Sequence, residues 1–127
     1  MIERLEIDGV HMDVGDDLRK YVNKKIGGLE KYVPKHARKS LHVEVKLKEG
    51  KIRAKEERTC EVIVHLPNEV ITVSETTINI FAAVDIVEEK LKKLLHKYKE
   101  MHASPKLRQR LMARLRRKQP TFPEIDD

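Results

Sequence analysis

Lys90, Lys93 and Lys97 recur every three to four residues, the spacing that sets side chains along one flank of a helix, and Lys92 and Lys99 fall on the other flank. Ammonium groups at this density do one kind of chemistry: they neutralise phosphates. Arg108, Arg110, Arg114, Arg116 and Arg117 follow, and a guanidinium matches phosphate oxygens two at a time. Residues 90 to 118 hold 12 of the chain's 27 Lys and Arg but only 1 of its 21 acids, Glu100. Such a block implies a polyanionic partner. Part of the lysine cluster is also what a stable helix places against the negative end of its own dipole.

Residue types that catalyse are present without the arrangement catalysis needs. His11, His36, His42, His65, His96 and His102 show no paired spacing for zinc, and the single Cys60 cannot supply a thiolate cluster. Cys60 falls in the inward register of a strand pattern, where a buried inert thiol is expected. Gly9, Gly15, Gly27, Gly28 and Gly50 are scattered, so no glycine loop cradles a phosphate. Glu88 and Glu89 are helix neighbours and point about 100° apart. Neither catalysis, nor a metal, nor a cofactor, nor a small-molecule substrate is expected.

The 127 residues suit one domain with a short appendage. Although 38% of residues are charged, apolar positions keep clear periods through Met101, which marks a folded chain. One cysteine allows no internal disulfide, and neither a charged-then-apolar leader nor a run of 18 apolar residues occurs. A cytoplasmic protein without membrane attachment is expected.

The elements that must position the cations follow from periodicity. Leu5 and Ile7 predict a first strand ending in a turn at Asp8-Gly9. Leu18, Val22, Ile26 and Leu29 predict a helix from Asp16 to Pro34, with Asp16 and Asp17 at its positive end and Lys20, Lys24 and Lys31 on the face away from the core. Leu41, Val43, Val45 and Leu47 alternate with polar residues, as do Cys60, Val62, Val64 and Leu66, and Val70 to Glu75 follows the Pro67-Asn68 turn. These three strands read as an antiparallel meander with a charged hairpin loop over residues 49 to 58. Thr76 or Thr77 is expected to cap a helix over residues 78 to 102, with Ile80, Val84, Val87, Leu91, Leu94 and Tyr98 facing the core.

Ser104-Pro105 then reads as a cap and first helical position for an arginine-rich helix over residues 106 to 118, with a narrow Leu107, Leu111, Leu115 stripe. Residues 119 to 127 read as an acidic, unstructured tail. The domain plan is therefore 1–102, 103–118 and 119–127. The fold class is α+β, in the order β-α-β-β-β-α: a four-stranded sheet with two helices on one face. That architecture is like a double-stranded RNA-binding domain, which reads duplex shape through backbone and 2′-hydroxyl contacts.

Two segments resemble the bacterial ribosome hibernation-promoting factors and ribosome-associated translation inhibitors, in their short form. The first is Leu5-Glu6-Ile7-Asp8-Gly9, Asp17-Leu18-Arg19, Val22, Lys25 and Leu29-Glu30-Lys31-Tyr32; the second is Phe81-Ala82-Ala83-Val84-Asp85, then Lys90-Leu91, Lys97 and Lys99. The likeness covers about residues 2 to 102. It implies a stress-response protein that binds ribosomal RNA between the head and body of the small subunit and blocks the messenger and transfer RNA sites. It also implies that Arg19, Lys25, Lys31, Lys90, Lys93, Lys97 and Lys99 face RNA, beside Lys20 and Lys24 from the first helix's own pattern and Arg108, Arg110 and Arg114 from the extension. Two positions depart from the family's pattern: Gly28 stands where a lysine is frequent and Asn79 where an acid is. The long forms carry a second, dimerising domain for which residues 103 to 127 are too few, so a monomer off the ribosome is expected. The competing expectation is a general double-stranded RNA-binding protein or RNA chaperone.

Overall fold

The computed structural model describes residues 2–102 together with Ala113. Apart from Ala113, the arginine-rich helix and acidic tail expected over residues 106 to 127, with Arg108, Arg110 and Arg114, lie outside the described residues.

Strand β1 runs Leu5–Val10, and the chain then passes through helix α1 (Asp16–Lys25), a 3-10 helix (Gly27–Tyr32) and a short helix α2 (Lys35–Arg38). Strands β2 (His42–Ile52), β3 (Lys55–His65) and β4 (Val70–Thr77) follow, and helix α3 (Ile80–Met101) completes the domain. The sheet order is β1-β2-β3-β4. β1 pairs parallel with β2, while β2, β3 and β4 are successively antiparallel. The helical crossover between β1 and β2 is what a parallel neighbour requires, because the chain must return to the same end of the sheet before pairing. The expected α+β order and the three-stranded meander are therefore both present.

The period of two does its work on one face. Val43, Val45, Leu47, Cys60, Val62 and Val64 are buried, and the residues between them are not. Leu18 and Val22 of α1, Leu29 of the 3-10 helix and Ile80, Val84, Val87 and Leu91 of α3 join the same apolar cluster, so both long helices cover that one face. The parallel registers Leu5 with Val43 and Ile7 with Val45 point β1's apolar residues inward too.

Several boundaries differ from the sequence expectation. β1 continues through Asp8 and Gly9 and turns at His11, whose φ is 59°. A side chain at Gly9 would lie 2.3 Å from the Met12 carbonyl oxygen, so that glycine is needed for close approach of the returning chain. The charged stretch expected as a loop is instead strand almost to its tip: Ile52 pairs with Lys55, and Arg53 and Ala54 alone make the turn, with φ of 54° and 66°. The single first helix splits at the glycine pair, where the α-helix gives way to the 3-10 helix, and Pro34 caps α2 instead of ending α1. Asn79, not Thr76 or Thr77, caps α3, its side chain accepting from the Phe81 N–H at 2.9 Å. Asn serves at this position as well as the acid frequent in the family would.

On α3 the core stripe passes through Leu95, 1% exposed, and leaves Leu94 38% exposed. Leu95→Ala is expected to cost about 2–5 kcal/mol of unfolding free energy and Leu94→Ala about 1 kcal/mol or less, measured by urea titration. The opposite sheet face is open and polar. There His42 and His65 stack at 5.1 Å, with Nε2 atoms 3.0 Å from Glu6 Oε2 and 2.6 Å from Glu44 Oε2 respectively. The hydrogen bond from His65 holds the Glu44 carboxyl below the ordinary glutamate range, against the opposing effect of burial. A depressed carboxyl contributes stability above its unfolded value and loses it as pH falls through the folded one. Glu44→Gln is accordingly expected to lower the unfolding midpoint at neutral pH and to have no effect below the carboxylate range.

Candidate nucleic-acid interface

Because α1 and α3 lie side by side over the same sheet face, their outer surfaces form one continuous side of the molecule. On α1, Arg19, Lys20 and Lys24 are exposed. On α3, Lys93 and Lys97 are exposed, and Lys99 is partly covered in the last turn. None of these six has an ion pair among the described residues. Lys31 belongs to the 3-10 helix, where its ammonium lies 5.3 Å from the Tyr32 ring centroid, so the row expected on one helix is shared between two segments.

Lys25 is placed differently. Its Nζ lies 3.6 Å from both Asp85 Oδ1 and Glu88 Oε1 of α3, and 5.7 Å from the centroid of the Tyr21 ring one turn earlier. The neighbouring Glu88 charge, ahead of Tyr21 and Asp85, pushes the ammonium pKa up. Tyr21 donates its hydroxyl to Asp85 Oδ1, and that bond pushes the phenol pKa up as well. The Tyr21 ring also meets Phe81 edge-on at 5.2 Å. Together these contacts clamp the C-terminal half of α1 to the N-terminal half of α3. A cation engaged by two carboxylates presents little net charge outward, so Lys25 sets the position of its neighbours more than it adds to the field.

Lys90 is also engaged, donating to Glu75 Oε1 of β4 at 2.6 Å. Lys92 pairs with Glu89 at 3.4 Å within α3. The cations of α3 without an ion pair among the described residues, Lys93, Lys97 and Lys99, therefore lie in its C-terminal half, beyond the clamp. Aromatic rings serve packing on this side: besides Tyr21 and Phe81, Tyr32 of the 3-10 helix contacts His96 of α3 at 5.5 Å, and Tyr98 is buried. Rings used as helix-to-helix glue are not free to stack on bases.

Two features escaped sequence reasoning. The carboxylate partners of Lys25 lie 60 and more positions away, and the only hint was that Tyr21 and Lys25, and separately Asp85 and Glu88, fall on one face of their helices. The cations of the α2 region, Lys35 and Lys39, are exposed beside Arg38, whose Nε donates to the Val33 carbonyl oxygen at 3.0 Å. Pro34 concealed that helix because it reads as a stop. Among the described residues no three His, Cys, Asp or Glu converge as metal ligands, and no helix is long and apolar enough to cross a membrane. Cys60 is fully buried, and burial pushes its thiol up to about 12. Lys25→Glu would set a third carboxylate beside Asp85 and Glu88, and a clear drop in melting temperature is expected. Lys24→Glu, one residue away and without an ion pair among the described residues, should leave the melting temperature unchanged.

Comparison with known proteins agrees with this architecture. The sequence model of the family described as Sigma 54 modulation protein / S30EA ribosomal protein matches residues 5–103. A ribosome hibernation promotion factor of Staphylococcus aureus (strain COL) is 30% identical over 96 residues, 76% of this chain and 48% of that protein. Its namesake from Lactococcus lactis subsp. cremoris (strain MG1363) is 33% identical over 104 residues, 81% of this chain and 54% of that protein. The chain thus spans about half the length of these curated relatives. Among solved structures, the Thermus thermophilus Protein Y N-terminal domain superposes with a TM-score of 0.56 at 22% identity, covering 73% of this chain and 94% of that one. A ribosomal subunit interface protein from Coxiella burnetii gives 0.60 at 23% identity, covering 75% and 96%. These two likenesses establish the fold, and the match across residues 5–103 establishes the kinship: the chain belongs to the Sigma 54 modulation protein / S30EA ribosomal protein family, in which the resemblance to hibernation-promoting factors also placed it.

Proposed function

We propose that this protein is a ribosome hibernation factor that binds ribosomal RNA in the cleft between head and body of the small subunit. It inhibits translation by occupying the messenger RNA path and the transfer RNA sites. No bond is made or broken; the inhibition is steric. The observation that carries this reading is the pair of clamped helices with Arg19, Lys20, Lys24, Lys93 and Lys97 exposed on one side. The printed name of the Staphylococcus and Lactococcus relatives supports the biological setting.

Two rigid cationic helices suit folded RNA for a physical reason. A-form helices hide their base edges in a deep narrow groove and offer phosphates and 2′-hydroxyls at fixed spacing, so shape and charge carry the recognition. Lys31, Lys99 and the extension's Arg108, Arg110 and Arg114 lengthen the contact, whereas Lys90 must release Glu75 before it can reach a phosphate. Off the ribosome the protein is a cytoplasmic monomer and carries no cofactor.

If six to ten cations each neutralise a phosphate, affinity falls by ~1,000-fold or more between 50 and 200 mM salt. Sedimentation with purified small subunits across a salt series, paired with cell-free translation, tests this. Reversing Lys93 and Lys97 to glutamate is expected to abolish inhibition. Replacing either with alanine should flatten the log-log salt slope by about one. Full inhibition by the charge-reversed protein would refute the site. Equal affinity for a plain RNA duplex and for small subunits at equal salt would instead favour a general RNA chaperone.

A further inference from the structure

Residues 31 to 40 carry Lys31, Lys35, Arg38 and Lys39 and no acid, a run separate from the cationic flanks of α1 and α3. A four-residue helix has little macrodipole for cations to offset, so α2 does not need them for its own stability. Lys35 and Lys39 stand one turn apart on it, both exposed and without an ion pair among the described residues. Beside them opens a cleft of about 200 Å3, lined by Glu3, Arg4, Glu30, Arg38, Lys39 and Leu41.

The walls of this cleft are held from behind. On the strand side, Ile2 N–H donates to the Gly27 carbonyl oxygen at 3.2 Å and Val43 N–H to that of Arg4 at 2.9 Å. On the helical side, Ala37 N–H donates to the Pro34 carbonyl oxygen at 2.9 Å and Leu41 N–H to that of Arg38 at 3.3 Å. Arg38 is half-buried, and its Nε is engaged with the Val33 carbonyl oxygen at 3.0 Å. That bond orients the guanidinium and leaves its two terminal nitrogens for an acceptor. Leu41, 3% exposed, lies beneath as an apolar floor.

The mixture of signs decides the ligand. Three cations stand against two carboxylates, so a free anion gains little here. An RNA strand brings both a phosphate for the cations and, on the adjoining ribose, a 2′-hydroxyl that a carboxylate accepts. Glu30 is already engaged, which leaves Glu3 as the acceptor. We propose that the cleft seats one nucleotide of an RNA strand, its phosphate on Arg4, Arg38 and Lys39 and its 2′-hydroxyl donating to Glu3. The assignment rests on ribosomal RNA as the partner and lengthens its path over the protein. From Lys93 and Lys97 the surface passes by His96 to Tyr32, their rings 5.5 Å apart, then to Lys31 beside Tyr32, and so to Glu30 at the cleft. A strand already held against α3 needs little further affinity to enter it. DNA lacks the hydroxyl, so the cleft is where the protein distinguishes the two.

The test uses the full chain and two single-stranded oligonucleotides of one sequence, ribo and deoxyribo, both with uracil and at equal salt. Wild type is expected to prefer the ribo form by about fivefold, and Glu3→Ala to lose that preference without losing affinity for either. Arg4→Ala combined with Lys39→Ala should flatten the log-log salt slope for the ribo form by about two. All three side chains are exposed, and the substitutions leave the backbone hydrogen bonds in place. On isotope-labelled protein, the Leu41 methyl resonances should shift with added RNA, together with the amides of Lys93 and Lys97. No ribo preference, one that survives Glu3→Ala, or a salt slope unchanged in the double variant overturns the proposal. So does a Leu41 shift produced by a polyglutamate peptide and not by RNA, which makes the cleft a seat for an acidic protein segment. Leu41 unmoved while Lys93 and Lys97 respond refutes the cleft alone. Equal affinity for small subunits and a plain duplex refutes the ribosomal reading and leaves these shifts standing, so the two failures are separable.

Discussion

The spacing of the two cationic helices depends on one ammonium group, Lys25, held between Asp85 and Glu88 of the facing helix and backed by the Tyr21 hydroxyl on Asp85. Apolar packing holds α1 and α3 on the sheet, but burial is non-directional and does not choose a rotation for either helix. Two rows of like charge laid side by side also repel. Asp85 and Glu88, the carboxylates of α3 that meet Lys25 of α1, fall in its first half, and Lys93 and Lys97, exposed and without an ion pair among the described residues, in its second. The same helix therefore attracts its neighbour through its first half and carries exposed lysines in its second.

The other face of the sheet shows a different solution to the charge problem. On it Glu6, Glu44 and Glu61 meet His42, His65 and Lys48 across neighbouring strands. Each carboxylate there has a nitrogen partner within 3.5 Å. On the helical side Lys25 and Lys92 are paired with carboxylates of α3, whereas Arg19, Lys20, Lys24, Lys93 and Lys97 are exposed without an ion pair among the described residues.

How much of this was legible in the sequence depends on the range of the interaction that decides each feature. The alternation of Val43, Val45 and Leu47 with charged neighbours, and of Cys60, Val62 and Val64, is local and specifies both strands and their buried face. The choice between Leu94 and Leu95 is not local: either continues a helical period, and only the tilt of α3 against the sheet decides. The tip of the β2–β3 hairpin was hidden because Arg53 and Ala54 adopt left-handed backbone angles that neither residue advertises, while nearby Gly50 drew the eye. For the site, charge type and spacing exposed the rows on α1 and α3 but could not distinguish Lys24, which faces out, from Lys25, which is bound. Their difference lies in partners brought near only by the fold.

The chain's single thiol, Cys60, sits at full burial in the middle of the sheet, with its ionisation deferred far beyond neutral pH. Peroxides and disulfides attack thiolates that they can reach, and here there is neither thiolate nor access. The outward charges on the helices are lysines and arginines, which those oxidants leave untouched. The charges the protein presents are thus the same in reducing and in oxidising surroundings.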